Sequence, residues 1–301
     1  MGNKIVVIGS SNTDMVLKIA RFPKPGETIL GGDFYVFQGG KGANQAVAAA
    51  RLDGEVSFIC KVGNDSFGND AIAHYKNEGI DVSGILQDNS APTGVAVITV
   101  NAEGENSIIV ASGVNALLSV LDIENSINKL VNLEWIMTHL ETPLSVIGFI
   151  ATFARENDKK FILNPAPAQA LPNTIYDGLF LITPNETETE LLTGIAIIDE
   201  KSAKTASEIF RLKGVKNIII TLGSKGAYMN CNDFEGIIDS FKVTAIDTTA
   251  AGDIFNGALM VALAEGKNWK ESVIFASKAA SISVTRMGAQ TSASTIKEIE
   301  L

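Results

Sequence analysis

The residues best suited to chemistry lie in AIDTTAAGDIFNGAL, Ala245 to Leu259. There a single carboxylate, Asp253, follows Ala250, Ala251 and Gly252 and opens an apolar run that reads as a helix. The first four backbone N–H groups of a helix have no acceptor within it, and the helix dipole adds positive potential, so such an end binds anions. Residues with almost no side chain let a phosphate reach that backbone directly. A carboxylate beside a phosphoryl group repels it, but can take the proton of a hydroxyl that attacks phosphorus. The segment reads as an anion hole with a general base built in. An acid that merely caps a helix has the same local sequence, so the segment alone leaves both readings open.

A second cluster is QGGKGANQA, Gln38 to Ala46. Gly39, Gly40 and Gly42 permit positive φ or close backbone approach. Lys41 and Asn44, three residues apart, share a helix face. Ordinary turns have the same composition, and neither G-x-x-x-x-G-K-[ST] nor G-x-G-x-x-G occurs in the chain. Smaller pieces follow apparent strands. GSSNTD sets Asn12 and Asp14 at the end of the first strand, where open α/β sheets bind ligands, and HLETP sets Glu141 at the end of another. TPNETE spaces Asn185 and Glu188 to suit hydrated Mg²⁺ near phosphates. TLGSKGA offers Gly223 and Gly226 as backbone on which a nucleotide could lie.

The elements that must position these residues are legible as a pattern. From Trp135 onward, short apolar runs (WIMTHL, KKFILN, LFLIT, NIIITLG) alternate with helical segments, one of which Pro143 can start and another of which opens at Glu186. That alternation predicts a parallel sheet covered on both faces. KIVVIGS reads as a buried first strand, and KGANQAVAAARL as a helix so rich in Ala that its neighbours approach closely. Residues 14–37 and 93–111 show apolar–polar alternation with Gly and Pro punctuation. The second region reads as two strands around a turn at Glu103-Gly104-Glu105. The expected fold class is α/β: a three-layer αβα sandwich around a mostly parallel sheet, with a small antiparallel β lid, in one domain spanning 1–301.

Composition narrows the function classes. Lys plus Arg total 24 against 34 Asp plus Glu, a net charge of −10 without a basic stripe, which disfavours nucleic acid. No window of 18 consecutive apolar residues argues for a membrane span. The N-terminal apolar run is too short for a signal peptide, and after Met1-Gly2 the residue at Val6 is wrong for myristoylation. Cys60 and Cys231 lack metal or disulfide spacing and read as buried thiols in a reducing cytosol, so the expected location is cytoplasmic. His74 and His139, with no carboxylate–histidine spacing around them, read as structural or surface residues.

GGKGANQAVAAARL near one end and DTTAAGDIFNGAL near the other, with NPAPA at 164–168, TPNETE at 183–188 and TLGSKGA at 221–227 between them in order, resemble the two signatures and intervening motifs of the ribokinase-like carbohydrate kinase family. The resemblance covers nearly the whole chain. It implies ATP-dependent phosphoryl transfer to the 5-hydroxyl of D-ribose, with Asp253 as general base and Ala250, Ala251 and Gly252 as the anion hole. It implies that Asn12, Asp14, Gly40, Lys41, Gly42, Asn44 and Glu141 hold the sugar. Asn185 and Glu188 would organise Mg²⁺ and phosphates; Thr221, Gly223, Ser224, Gly226 and Gly252 would line the nucleotide, with Ser277 at the position facing adenine. A K⁺ loop would map to Asp247, Thr249, Ser283, Arg286, Gly288 and Ser292, held mostly by backbone carbonyls. The lid would also form a homodimer contact. Many family members carry Gly where Ala250 stands, and Ser277 is small for an adenine contact. A polar pocket of this kind suits a small polyhydroxylated sugar better than a nucleoside. Deoxyribose or another small sugar is the alternative substrate, and a non-catalytic sugar or nucleotide sensor the alternative class.

Overall fold

Strands whose residues are almost all apolar need cover on both sides, and the chain supplies it. The structure, a computed structural model, describes residues 4–300, with the backbone alone for Lys4; the Met1-Gly2 start lies outside them. In chain order the strands are β1 Lys4–Ile8, β2 Asn12–Lys18, β3 Phe34–Gly39, β4 Val56–Ile59, β5 Lys61–Gly63, β6 Leu86–Asp88, β7 Gly94–Val100, β8 Asn106–Ala111, β9 Leu133–Thr138, β10 Lys160–Leu163, β11 Leu181–Ile182, β12 Ile218–Thr221, β13 Ala227–Cys231 and β14 Phe234–Ile238. The helices are α1 Lys41–Arg51, α2 Ser66–Asn77, α3 Val120–Ile127, α4 Leu144–Glu156, α5 Asn173–Tyr176, α6 Glu186–Thr193, α7 Glu200–Leu212, α8 Ala251–Ala264, α9 Trp269–Ser283 and α10 Ile296–Glu300.

The main sheet has eight strands in the order β14-β13-β12-β11-β10-β9-β1-β4. It is parallel from β12 to β4, with β13 and β14 added antiparallel at one edge. Successive side chains of a strand face opposite ways. Ile5 and Val7 of β1 therefore join the core under α1, α2, α8 and α9, while Val6 and Ile8 join the core under α3, α4, α5 and α7. Packing between α1 and α8 is tight: a Cβ added at Gly257 would lie 2.6 Å from the Gln45 carbonyl oxygen and 2.8 Å from the Ala48 Cβ. The alanines of α1 and the glycine of α8 thus let two helices approach closely enough for their polar residues to meet.

A second, four-stranded sheet in the order β3-β2-β7-β8 stands apart from the first. Its two outer pairings are antiparallel, and β2 pairs with β7 in parallel. The hairpin between β7 and β8 turns at Asn101–Glu105, where the Asn101 side chain accepts from the N–H groups of Glu103 and Glu105. One placement differs from expectation. Asn12 and Asp14 do not sit at the end of β1; they begin the second sheet, in β2. The chain leaves the main sheet at Gly9–Ser11, and its turn is stabilised by side chains from elsewhere. Ser10 N–H donates to His139 Nε2 at 3.0 Å, and Ser11 N–H to Asn115 Oδ1 at 3.0 Å.

Candidate active site

The carboxyl ends of the parallel strands deliver the site. Glu141 follows β9, Asn164 follows β10, Thr183 and Asn185 follow β11, and Thr221 ends β12. Facing them is the start of α8. Its N-cap, Ala250, is left-handed with φ +59°, and no side chain caps the helix. Asp253 therefore does not cap. It turns across to α1, where Asn44 Nδ2 donates to Oδ2 at 3.0 Å and Gln45 Nε2 to Oδ1 at 3.0 Å. Asp253 is buried, with only 6 % of its surface exposed. Burial raises its pKa; the Lys41 charge and the Asn44 donor oppose that rise, Glu141 adds to it, and Gln45 opposes it. Ala250, Ala251, Gly252 and Asp253 line one cavity of about 200 Å³ together with Lys41, Glu188 and Asn256. A Cβ added at Gly252 would meet nothing within 4 Å. The open space the sequence suggested in front of this helix end is present.

Lys41 is the cation of the site. Its pKa is raised, first by Asp253 and, against the cost of burial, by Glu141, Glu188 and Asp14. Four carboxylates therefore share one ammonium. Asp14 bears the consequence: burial, then repulsion from Glu141 and Asp253, pushes it up to about 7. Glu141 goes the other way. Burial pushes it up, but the imidazole of His139, then the Lys41 charge, the Ser10 hydroxyl at 2.5 Å and the Lys41 N–H at 3.2 Å hold it below the usual carboxylate range. Ser10, Asn12 and Glu141 line a second cavity of about 430 Å³ that opens toward Val110 of β8. Gly40 has φ +90°, so the turn into α1 requires a glycine there.

His139 is structural, the first of the two roles the sequence left open for it. It stands two residues from Glu141 and is fully buried beneath it, with Nδ1 3.1 Å from the Glu141 nitrogen. Burial drops its pKa to about 4, so it is neutral and shapes the turn that presents Glu141. His74 is part-buried, 2.9 Å from Gln290, and outside the site.

Beyond the α8 end lies a cavity of about 610 Å³, lined by Asn185, Thr221, Gly223, Ser224, Gly226, Gly252 and Ser277, with apolar walls from Phe241, Val243, Phe255 and Val284. Its size and mixed lining fit a nucleotide-sized ligand. It shares Asn185, Thr221, Thr248, Ala251 and Gly252 with the Asp253 cavity, so the two are continuous. Asn185 and Glu188 have a structural role besides the one their spacing suggested. They form a capping box for α6: Asn185 Oδ1 accepts the Glu188 N–H, and both Glu188 oxygens are taken by Asn185. With both carboxylate oxygens engaged, they fit a metal ion through its bound waters rather than by direct ligation. Among the described residues there is no cluster of three or more His, Cys, Asp or Glu able to hold a metal.

Asp247, Thr249, Ser283, Arg286, Gly288 and Ser292 stand outside these cavities. Asp247 ties the group together, accepting from Thr249 N–H at 2.9 Å and Gly288 N–H at 2.8 Å. The Ser283 and Ser292 hydroxyls donate to the Ala280 and Ala289 carbonyls, and Arg286 pairs with Glu298. The side chain of Arg286, itself a cation, cannot ligate another cation at this loop, and Asp247 is the one carboxylate of the group. No helix among the described residues is long and apolar enough to cross a membrane.

Comparison with known proteins decides the family. The family model described as pfkB family carbohydrate kinase matches residues 3–296. This chain belongs to the pfkB carbohydrate kinases. It is 45% identical to a ribokinase of Haemophilus influenzae, over 99% of this chain and 97% of that protein. It is 36% identical to a deoxyribokinase of Salmonella typhi, over 98% of this chain and 96% of that protein. A solved Arabidopsis thaliana ribokinase complexed with ribose and ATP superposes with a TM-score of 0.91 at 30% identity, covering 100% of this chain and 98% of that one.

In this pfkB carbohydrate kinase the polar network reaches further than the sequence motifs. Gln45, Ser10, Asn164, Thr183 and Asn256 also meet at the site. Gln45 Nε2 donates to Asn164 Oδ1 at 3.1 Å, Thr183 Oγ1 to Asn256 Oδ1 at 2.6 Å, and Asn256 Nδ2 to the Gly252 carbonyl at 2.8 Å. Asn164 opens NPAPA and Thr183 opens TPNETE, so position after a strand was the available signal. Gln45 carried none, since it reads as a helix residue among alanines.

Proposed function

We propose that this chain transfers the γ-phosphoryl group of ATP to the 5-hydroxyl of D-ribose, with Asp253 as general base. The observation that carries the reading is the Asp253 carboxylate: buried, turned away from its own helix, and set beside an open helix N-terminus that joins the nucleotide-sized cavity. The close relationship to ribokinases supports ribose as the sugar. Asn12, Asp14, Gly40, Lys41, Gly42, Asn44 and Glu141 hold the sugar hydroxyls, and the first-turn N–H groups at Ala251, Gly252 and Asp253 face the transferring phosphate. Asn185 and Glu188 position the waters of Mg²⁺, which when bound neutralises phosphate charge. Asp247 and the carbonyls of its loop hold K⁺ next to the anion hole. Thr221, Gly223, Ser224 and Gly226 carry the nucleotide on backbone, and Ser277 leaves room at its apolar end.

The second sheet serves as a lid, with its strands in 14–37 and 93–111. Its exposed Phe34, Val36, Ile108 and Ile109 favour burial against a second copy, making a homodimer. The net charge of −10 fits a cytoplasmic enzyme without nucleic-acid partners.

Coupled ADP release with ATP, Mg²⁺ and K⁺ tests the reading over ribose, 2-deoxyribose, arabinose, xylose, fructose and adenosine. Ribose is expected to give the highest kcat/KM, falling when choline replaces K⁺. Preference for 2-deoxyribose would overturn the sugar assignment while leaving the base in place, and silence on every sugar would overturn the enzyme. Asp253→Asn is expected to lower kcat by about 100- to 10,000-fold, the span for losing a general base, with ribose KM little changed.

A further inference from the structure

Asp253 is held by two amides of different freedom. Asn44 Nδ2 reaches Oδ2, and the amide oxygens of Asn44 and Gln45 are both buried without a partner, so the two differ in their N–H groups alone. Gln45 spends both amide hydrogens: one on Asp253 Oδ1 at 3.0 Å, the other on Asn164 Oδ1 at 3.1 Å. A carboxylate only accepts, so the Gln45 nitrogen must face it. Asn164 is itself tied down, its Nδ2 donating to the Thr183 carbonyl at 3.2 Å. Gln45 and Asn164 are both buried. One oxygen of Asp253 is thus fixed through Gln45 and Asn164 to the ends of β10 and β11, whereas the other meets an amide nitrogen that, among the described residues, donates to Asp253 alone.

We propose that Gln45 is a positioning residue for phosphoryl transfer: it locks Oδ1 of Asp253, so that Oδ2 is the oxygen that takes the sugar proton, and Asn164 in turn locks Gln45. The inference rests on the reading of Asp253 as the base. In the step, the hydroxyl oxygen of the sugar bonds to the γ-phosphorus as the bond to the leaving oxygen of ADP breaks. The hydroxyl proton passes to Oδ2 and later to solvent. A locked carboxylate presents that oxygen without first having to rotate, and such orientation is a large part of catalysis. Gln45 also stabilises the ionised carboxylate with one buried donor. The other charged groups around Asp253 are Lys41 of α1, Glu141 after β9, Glu188 of α6 and Asp14 of β2, and the Gln45 hydrogen bonds go to none of them.

The test is Gln45→Met, which keeps the length and removes the donor, with melting temperature as a check on folding. The expected result is a kcat about 10- to 100-fold lower, ribose and ATP KM values nearly unchanged, and the acidic limb of the kcat–pH profile moved to higher pH. In an Asp253→Asn background the same substitution is expected to cost nothing more. Unchanged kcat and limb, a rise confined to KM, or a full additive loss in the Asp253→Asn background would overturn the inference. If Gln45→Met does not fold, Asn164→Ala decides in the same way, with a smaller upward shift of the limb expected and no shift overturning the relay. Retained activity in Asp253→Asn itself would overturn the underlying reading instead, which separates the two failures.

Discussion

A Cβ added at Gly42 would lie 2.7 Å from the Gly9 Cα and 2.8 Å from the Ser10 nitrogen, whereas one added at Gly252 would touch nothing within 4 Å. Both glycines belong to segments that build the site, and they are glycine for opposite reasons. Around Gly42 the protein needs the space itself: α1 starts against the turn that leaves β1, and the backbones are nearly in contact. At Gly252 the protein leaves the space empty, and the residue is small for the sake of what enters. The first segment positions and the second receives. A glycine's role is thus told by what its missing side chain would meet, not by its place in a motif.

The comparison can be broken at several points. Gly252→Ala is expected to lower kcat/KM for ATP by about 100- to 1,000-fold, comparable to losing an oxyanion donor, because the added methyl stands where the phosphate must approach the backbone. Its melting temperature should hold or rise, because Ala is favoured over Gly in a helix by up to about 1 kcal/mol. Gly42→Ala is expected to act on the fold, costing about 1–3 kcal/mol by overpacking against backbone, measured by urea denaturation. A stable Gly42→Ala or an unstable Gly252→Ala would reverse the distinction.

Asp14 offers a pH test of the positioning region, since it lies against Gly39, where an added Cβ would overlap its carboxylate. Its folded pKa of about 7 stands above the ordinary 3.8, so the folded state holds this proton more tightly than the unfolded chain. The resulting stability is full below pH 3.8 and is lost as pH rises through 7. Sugar binding should move oppositely: kcat/KM for ribose is expected to rise roughly tenfold from about pH 6 to about pH 8 as the carboxylate becomes available to accept hydroxyls. Asp14→Asn should flatten both profiles. The smallest effect is expected at Ala250, whose left-handed φ of +59° a glycine would adopt without strain. Relief of that strain is offset by the greater freedom of an unfolded glycine, so Ala250→Gly should shift stability by no more than about 0.5 kcal/mol.

What the sequence revealed and what it hid follow the same division. Asp253, Lys41 and Asn44 were legible because each stands in a local context of small residues or glycines with a chemical reason. The parallel sheet was legible because β1, β9 and β12 are almost wholly apolar and bounded by turns. Gln45 was not, because its partners are Asn164 and Asp253, 119 and 208 residues away, and no local rule links them. His139 was legible only as structural or surface, because its partner Ser10 lies 129 residues away, at the end of the neighbouring strand β1. Asn185 and Glu188 were legible as a pair, but the spacing that suits a metal also suits a helix cap, and in the fold the cap takes both carboxylate oxygens. The departure of the chain from the main sheet after Ile8 was hidden because the strand-like pattern of β2 does not say which sheet it joins.

The packing of α1 against α8 has a consequence for how the molecule comes into being. The donors of Asn44 and Gln45 are made early in synthesis and wait for Asp253 more than 200 residues later. At about 5–20 residues per second, that interval is roughly 10–40 s. Until α8 emerges, Lys41 has no Asp253 beside it, the helix end that faces the phosphate does not exist, and the alanine face of α1 lies bare. A nascent chain with its glycine-rich turn already formed therefore lacks the proposed base, and that carboxylate is among the last parts to be set in place.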